Sequence, residues 1–146
     1  MGAQRTVNNL YARSVFFAKN AEHSLRFYTE QLGFAEDWNY QEEGRTVVCQ
    51  VSLFGFELIL NEIDERTQTR PGHGRVFIGL EDNQLEPLGR HIAAKGIETQ
   101  RLDWGRPTLV IKDLDANELF FWAPHDNWPG LGIPALESSA IKEPMK

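Results

Sequence analysis

One cysteine is all that the 146 residues contain, so an internal disulfide is excluded and nothing points to an oxidising compartment. That cysteine, Cys49, lies inside the alternating run TVVCQVSLF, which predicts a small buried hydrophobe rather than a nucleophile. Long apolar runs are missing too: LFGF and LFFWA are far too short to span a bilayer, and the N-terminus carries no apolar signal segment. A cytoplasmic protein with no membrane partner is the expectation. Basic residues are the minority, 15 Lys and Arg against 21 Asp and Glu, for a net charge of −6. That balance opposes binding to a phosphate backbone, so no nucleic-acid partner is expected. There is no Ser/His/Asp arrangement, no phosphate-cradling glycine loop and no Cys/His cluster. Two of the four histidines, His23 and His91, stand among polar helix neighbours and read as surface groups, while His125 falls in the tail.

What the chain does have is a repeated order of elements. ARSVFFA alternates as a strand; Asn20 then caps a helix in which Leu25, Tyr28 and Leu32 recur at helical spacing until Gly33 stops it. FAEDWNYQ, RTVVCQVSLF and FELILNE follow as three strands, parted by EEG and Gly55. After the polar stretch EIDERTQTRPGH the order begins again: the strand GRVFIGLED, the helix LEPLGRHIAAKG, and the strands IETQRLDW, PTLVIKD and ELFFWA, the last opened by the turn DLDAN. The predicted class is α+β, with two β-α-β-β-β modules forming a curved mixed sheet around a cup and their helices on the outer face. A single domain is expected over residues 1–146, with module one at about 11–61, a linker at 62–73, module two at about 74–124 and a Pro-, Gly- and Ser-rich tail at 125–146.

This layout, with SLRFYTEQLGF in the first helix and WGRPTLVIKDLDANELFFW at the end, resembles the glyoxalase/bleomycin resistance/dioxygenase superfamily, the vicinal oxygen chelate fold, over about residues 11–124. WGR followed by DLDANELFF looks most like the bleomycin resistance branch, although Leu114 stands where that branch has proline and Ala116 where it has glycine. The resemblance implies a homodimer with ligand clefts between subunits. Metal-dependent members of the superfamily bind a divalent cation through His, Gln and Glu at inward positions on the first and last strands of each module. Carried onto this chain, those positions fall on Arg13, Ile59, Arg75 and Phe120, none of which is a metal ligand. His73 and Glu118, each two residues before one of these positions, share their faces by parity and form the alternative metal pair.

Alternation adds Val15, Phe17, Glu57, Phe77, Glu118 and Trp122 to the same faces, with Trp38, Tyr40 and Trp104 on or beside the rim strands. The expected ligand site is therefore Arg13, Trp38, Tyr40, Ile59, Arg75, Trp104, Glu118, Phe120 and Trp122, with Glu118 a partner for Arg13 or Arg75. The bland reading takes these aromatics as core and pairs the arginines with Glu57 and Glu118. The leading expectation is a small-molecule binding protein without a metal or other cofactor, similar to antibiotic-resistance proteins and sequestering an aromatic or planar ligand. The alternative is an enzyme of the superfamily, a lyase, isomerase, dioxygenase or thiol transferase, using one divalent metal ion at His73 and Glu118.

Overall fold

The computed structural model describes residues 11–103 and 107–123. Strand β1 (Ser14–Ala18) leads into helix α1 (Ala21–Arg26), which widens into a π-helical turn at Phe27–Gln31. Strands β2 (Ala35–Glu42), β3 (Arg45–Leu53) and β4 (Phe56–Glu62) complete the first module. The second repeats the order with β5 (Arg75–Gly79), α2 (Asp82–Lys95), β6 (Gln100–Asp103), β7 (Pro107–Lys112) and β8 (Glu118–Trp122). The fold is α+β. Each module forms its own four-stranded mixed sheet, in the orders β1-β4-β3-β2 and β5-β8-β7-β6, and each first strand runs parallel to its module's last. The two modules thus share one topology.

The two largest boundary shifts from the sequence expectation lie at the ends of the second helix. Helix α2 begins at Asp82 rather than Leu85, because Glu81 and Gln84 cap each other's backbone amides and extend the helix by a turn at the strand's expense. At the other end Gly96 takes a left-handed φ of 62° and the Ile97 amide donates to the Ile92 carbonyl, so Ile97 closes the helix and β6 starts only at Gln100.

Alternation in the strands decides where the core sits. Phe16, Cys49, Val51, Leu58 and Leu60 from the first sheet and Ile78, Leu109, Ile111, Leu119 and Phe121 from the second join Leu25, Tyr28, Leu85, Leu88 and Ile92 of the helical segments in one buried cluster. Burial pushes the Cys49 thiol up to about 12, so the sulfur is protonated at neutral pH. Cys49 is expected to resist a disulfide-exchange reagent in the native protein and to react once the chain is unfolded; fast native labelling would show that the strand opens.

The modules are joined by a buried polar junction. Tyr28 of module one donates to Asp113 Oδ2 at 2.8 Å, across 85 residues of sequence. Asn117 donates through Nδ2 to the Phe17 carbonyl (3.1 Å) and to Asp113 Oδ2 (3.2 Å), and accepts the Gly72 and Gly74 amides at 3.0 Å each. His91, expected at the surface, is half-buried and sets Nε2 2.6 Å from the Gln31 carbonyl, with its ring against Gly33. The π-helical turn that ends the first helix docks there, and that turn belongs to the other module. Ala116 holds φ at 72°, which explains why a glycine is usual at this place in the related turn.

Candidate functional site

The sheet faces away from the helices carry the residues singled out in the sequence. In module one, strand register sets Val15 beside Ile59, Ile59 beside Gln50, and Gln50 beside Trp38, while Phe17, Asn61, Val48 and Tyr40 form the next row. Strand β2 carries a bulge at Asp37, between the pairs Glu36–Val51 and Trp38–Gln50, and the extra residue brings the Asp37 carboxylate over the same face.

Gln50 is the hub of that face. It is 4% exposed. Its Oε1 accepts from Arg13 Nη1 and from Trp38 Nε1 (3.2 Å), and its Nε2 donates to Asp37 Oδ2 at 2.9 Å. Asp37 Oδ1 in turn accepts from Ser52 Oγ at 2.9 Å. Arg13 also covers the Tyr11 ring at 4.6 Å, while the Tyr11 hydroxyl donates to Glu57, a bond that raises the phenol's pKa. Glu57 is thus taken by a tyrosine rather than by Arg13. Sequence reasoning missed Gln50, Asp37 and Tyr11. Parity of Gln50 with Val48 in TVVCQVSLF was the available signal for the first; a bulge leaves none for the second.

Module two presents a different surface. Arg75 pairs with Glu118 through Nε to Oε1 at 2.8 Å and lays its guanidinium 4.5 Å above the Phe120 ring. Phe77 also meets Phe120, with ring centroids 4.8 Å apart and the planes tilted by 33°. Phe120 is therefore 2% exposed although it faces away from the helices, whereas Phe77 is 51% and Trp122 39% exposed. Of the two arginines weighed as a partner for Glu118, Arg75 makes the bond. Trp104 lies outside the described residues.

Among the described residues the donor set does not fit a divalent metal. At the four inward positions two guanidiniums, an Ile and a Phe offer no lone pair to an ion. Glu118 has its carboxylate engaged by Arg75. His73 stands in the loop before β5 and lines a cavity of about 470 Å³ with Val15, Phe17, Thr69, Arg70 and Gly74, a set that does not include Glu118. Among the described residues, no three His, Cys, Asp or Glu side chains group where they could hold a metal ion. A second cavity, of about 400 Å³, lies over Glu98, Thr99, Gln100, Val110 and Lys112.

The sequence profile of the Glyoxalase/Bleomycin resistance protein/Dioxygenase superfamily matches residues 11–119. The chain belongs to that superfamily. No curated protein matches it. Solved structures share the fold at low identity. An integron cassette protein from the mobile metagenome of Halifax Harbour Sewage Outfall superposes with a TM-score of 0.60 and 22% identity, over 80% of this chain and 98% of that one. TnmS3, an antibiotic binding protein from Streptomyces sp. CB03234, gives 0.56 and 18%, over 80% and 98%. A lactoylglutathione lyase from Agrobacterium tumefaciens gives 0.58 and 13%, over 80% and 94%. Binding proteins and enzymes thus both use this framework, and the side chains on its helix-free faces are what separate them. Among the described residues no helix is long and apolar enough to cross a membrane.

Proposed function

We propose that this superfamily member is a small-molecule binding protein that holds an aromatic or planar ligand on its helix-free sheet faces without a metal, in the manner of the antibiotic-binding relatives. The observation that carries the reading is the stack of Arg75 over Phe120, with Phe77 beside it, at positions where metal-dependent members of the superfamily carry ligands. A guanidinium on an aromatic floor repels a cation and offers planar stacking in its place. Exposed Trp38, Tyr40, Phe77 and Trp122 add rigid aromatic area on the same faces. A homodimer that encloses the ligand between subunits fits this exposure; sedimentation should return twice the chain mass, and a monomer at micromolar concentration would remove the dimer from the proposal.

Calorimetric titration with bleomycin tests the finer assignment to the bleomycin resistance branch: saturable binding at micromolar drug supports it, and no heat at that concentration sinks it. For whichever planar compound binds, Trp38→Ala and Trp122→Ala are each expected to weaken affinity about tenfold, near the upper worth of an aromatic pair. Unchanged affinity in both variants would move the ligand off these faces. Metal analysis after incubation with nickel, zinc, manganese and iron addresses the enzyme alternative. Stoichiometric metal that is lost on His73→Ala or Glu118→Ala would replace the binding reading with a metal-dependent one.

A further inference from the structure

The segment between the modules, a polar spacer by composition, is folded into part of a pocket. Asp64 organises its first half: Oδ1 accepts the Arg66 amide at 2.9 Å, its own amide donates to Thr67 Oγ1 at 2.8 Å, and its carbonyl accepts from Gln68 Nε2 at 2.9 Å. Asn117 holds the second half through the Gly72 and Gly74 amides. Gly74 is needed because a Cβ there would lie 2.5 Å from the Phe16 ring, so the chain passes close against β1 only without a side chain. Between these two anchors the His73 amide donates to the Arg70 carbonyl, and Arg70 reaches 5.4 Å over the Phe17 ring. The result is the cavity of about 470 Å³ with an apolar floor, Val15 and Phe17, and a wall of Thr69, Arg70 and His73.

The charge on that wall is one-sided. Among the described residues the ion pairs are Arg45–Glu62, Arg75–Glu118 and Arg90–Glu86, and Arg70 belongs to none of them. A protein of net charge −6 thus turns a guanidinium with no carboxylate partner among the described residues toward an aromatic floor. A guanidinium fork matches a carboxylate with two parallel hydrogen bonds, and the hydroxyl of Thr69 and the imidazole of His73 add donors nearby. The volume suits a one- or two-ring molecule.

We infer that this pocket binds a flat aromatic carboxylate, its ring on Val15 and Phe17 and its carboxylate on Arg70 with Thr69 and His73 beside it. The inference rests on the binding-protein reading and narrows it to an anionic planar ligand, which also makes His73 part of an anion wall rather than a metal ligand. The anchors on either side hold Arg70 and His73 in place before the ligand arrives, so little ordering is left to oppose binding.

Calorimetry of the full chain with 1-naphthoate and with its neutral counterpart 1-naphthamide tests this. Naphthoate is expected to bind at least about tenfold more tightly than the amide, as one charge-assisted hydrogen-bonded contact provides. Arg70→Gln should bring naphthoate down to the level of the amide and leave the amide unchanged, while Arg70→Lys, which keeps the charge but not the fork, should fall between. Arg70 is exposed, so these variants are expected to fold, and their melting curves check it. Equal binding of both compounds, or naphthoate binding indifferent to Arg70→Gln, overturns the carboxylate inference and leaves aromatic binding standing. Failure of both compounds to bind up to millimolar concentration overturns the inference, while the binding-protein reading stands or falls separately on the titrations of Trp38→Ala and Trp122→Ala.

Discussion

Asn117→Ala is expected to destabilise the fold by about 3–5 kcal/mol, the range for a buried polar hub whose several partners are each left unmet. The side chain is 1% exposed and makes four hydrogen bonds, three of them to backbone: the Gly72 and Gly74 amides between the modules and the Phe17 carbonyl of β1. Alanine takes away the acceptor for the Gly72 and Gly74 amides and the donor to the Phe17 carbonyl, and it fills none of the space a water would need to replace them. For a chain of this length the loss corresponds to a fall in Tm of about 10 °C or more. Asn117→Asp should also be destabilising, because its new carboxylate oxygen would sit where Nδ2 now lies 3.2 Å from Asp113. Hydrogen exchange offers the local readout: the Gly72 and Gly74 amides should lose protection in Asn117→Ala before the strand cores do. A variant that melts within a degree of the parent would show that solvent replaces the side chain at this junction.

The repeat was legible because each module's buried face is written in strict alternation, as in Leu58 and Leu60 or Leu119 and Phe121, and because Gly33 and Gly96 close the helices. What stayed hidden is what crosses between modules. Asp113 and Asn117 read from sequence as local turn formers, and they do bond locally: Asp113 Oδ1 accepts the Asp115 and Asn117 amides at 2.9 Å. Their second set of partners, Tyr28, Phe17 and Gly72, lies far away along the chain, and no local pattern announces it. The His91 contact was hidden for the same reason, since helix periodicity sees its own neighbours and not the Gln31 carbonyl. On the helix-free faces parity is sufficient for Arg75, Phe77 and Phe120, but it cannot foresee the Asp37 bulge or that Gln50 accepts two donors with one oxygen. The linker was legible only as polar. That its residues stand over β1 follows from a glycine–phenylalanine contact 58 residues apart, Phe16 against Gly74, which only the tertiary structure contains.

Asp113→Ala is the second large loss expected, again about 3–5 kcal/mol, because the Tyr28 hydroxyl, the Asp115 and Asn117 amides and Asn117 Nδ2 all lose their acceptor. Its pH dependence is more informative than its size. Burial raises the Asp113 carboxyl above its ordinary value of 3.8, against the opposing pull of hydrogen bonds from Tyr28, Asn117 and the Asp115 and Asn117 amides. A carboxyl raised in the folded state is protonated more readily there than in the unfolded chain. Its contribution to stability is therefore fully present below 3.8 and is lost as pH rises through the higher folded value. Glu62, held low chiefly by Arg45, and Asp64, held low chiefly by the Arg66 amide, act in the opposite sense and lose their contribution as pH falls, so the parent's own profile mixes the two. The difference between the parent and Asp113→Asn isolates the first term, since both chains share Glu62 and Asp64. Unfolding free energies from urea titrations between pH 3.5 and 7 should show the parent's advantage over Asp113→Asn greatest at the acid end and shrinking toward neutrality. An advantage that grew with pH would mean that the four donors outweigh burial and that the carboxylate itself holds the modules together. In the expected case the junction is tightest when Asp113 carries its proton, and the ionised carboxylate weakens the same joint that fixes Gly72, Gly74 and with them the wall of the Arg70 pocket.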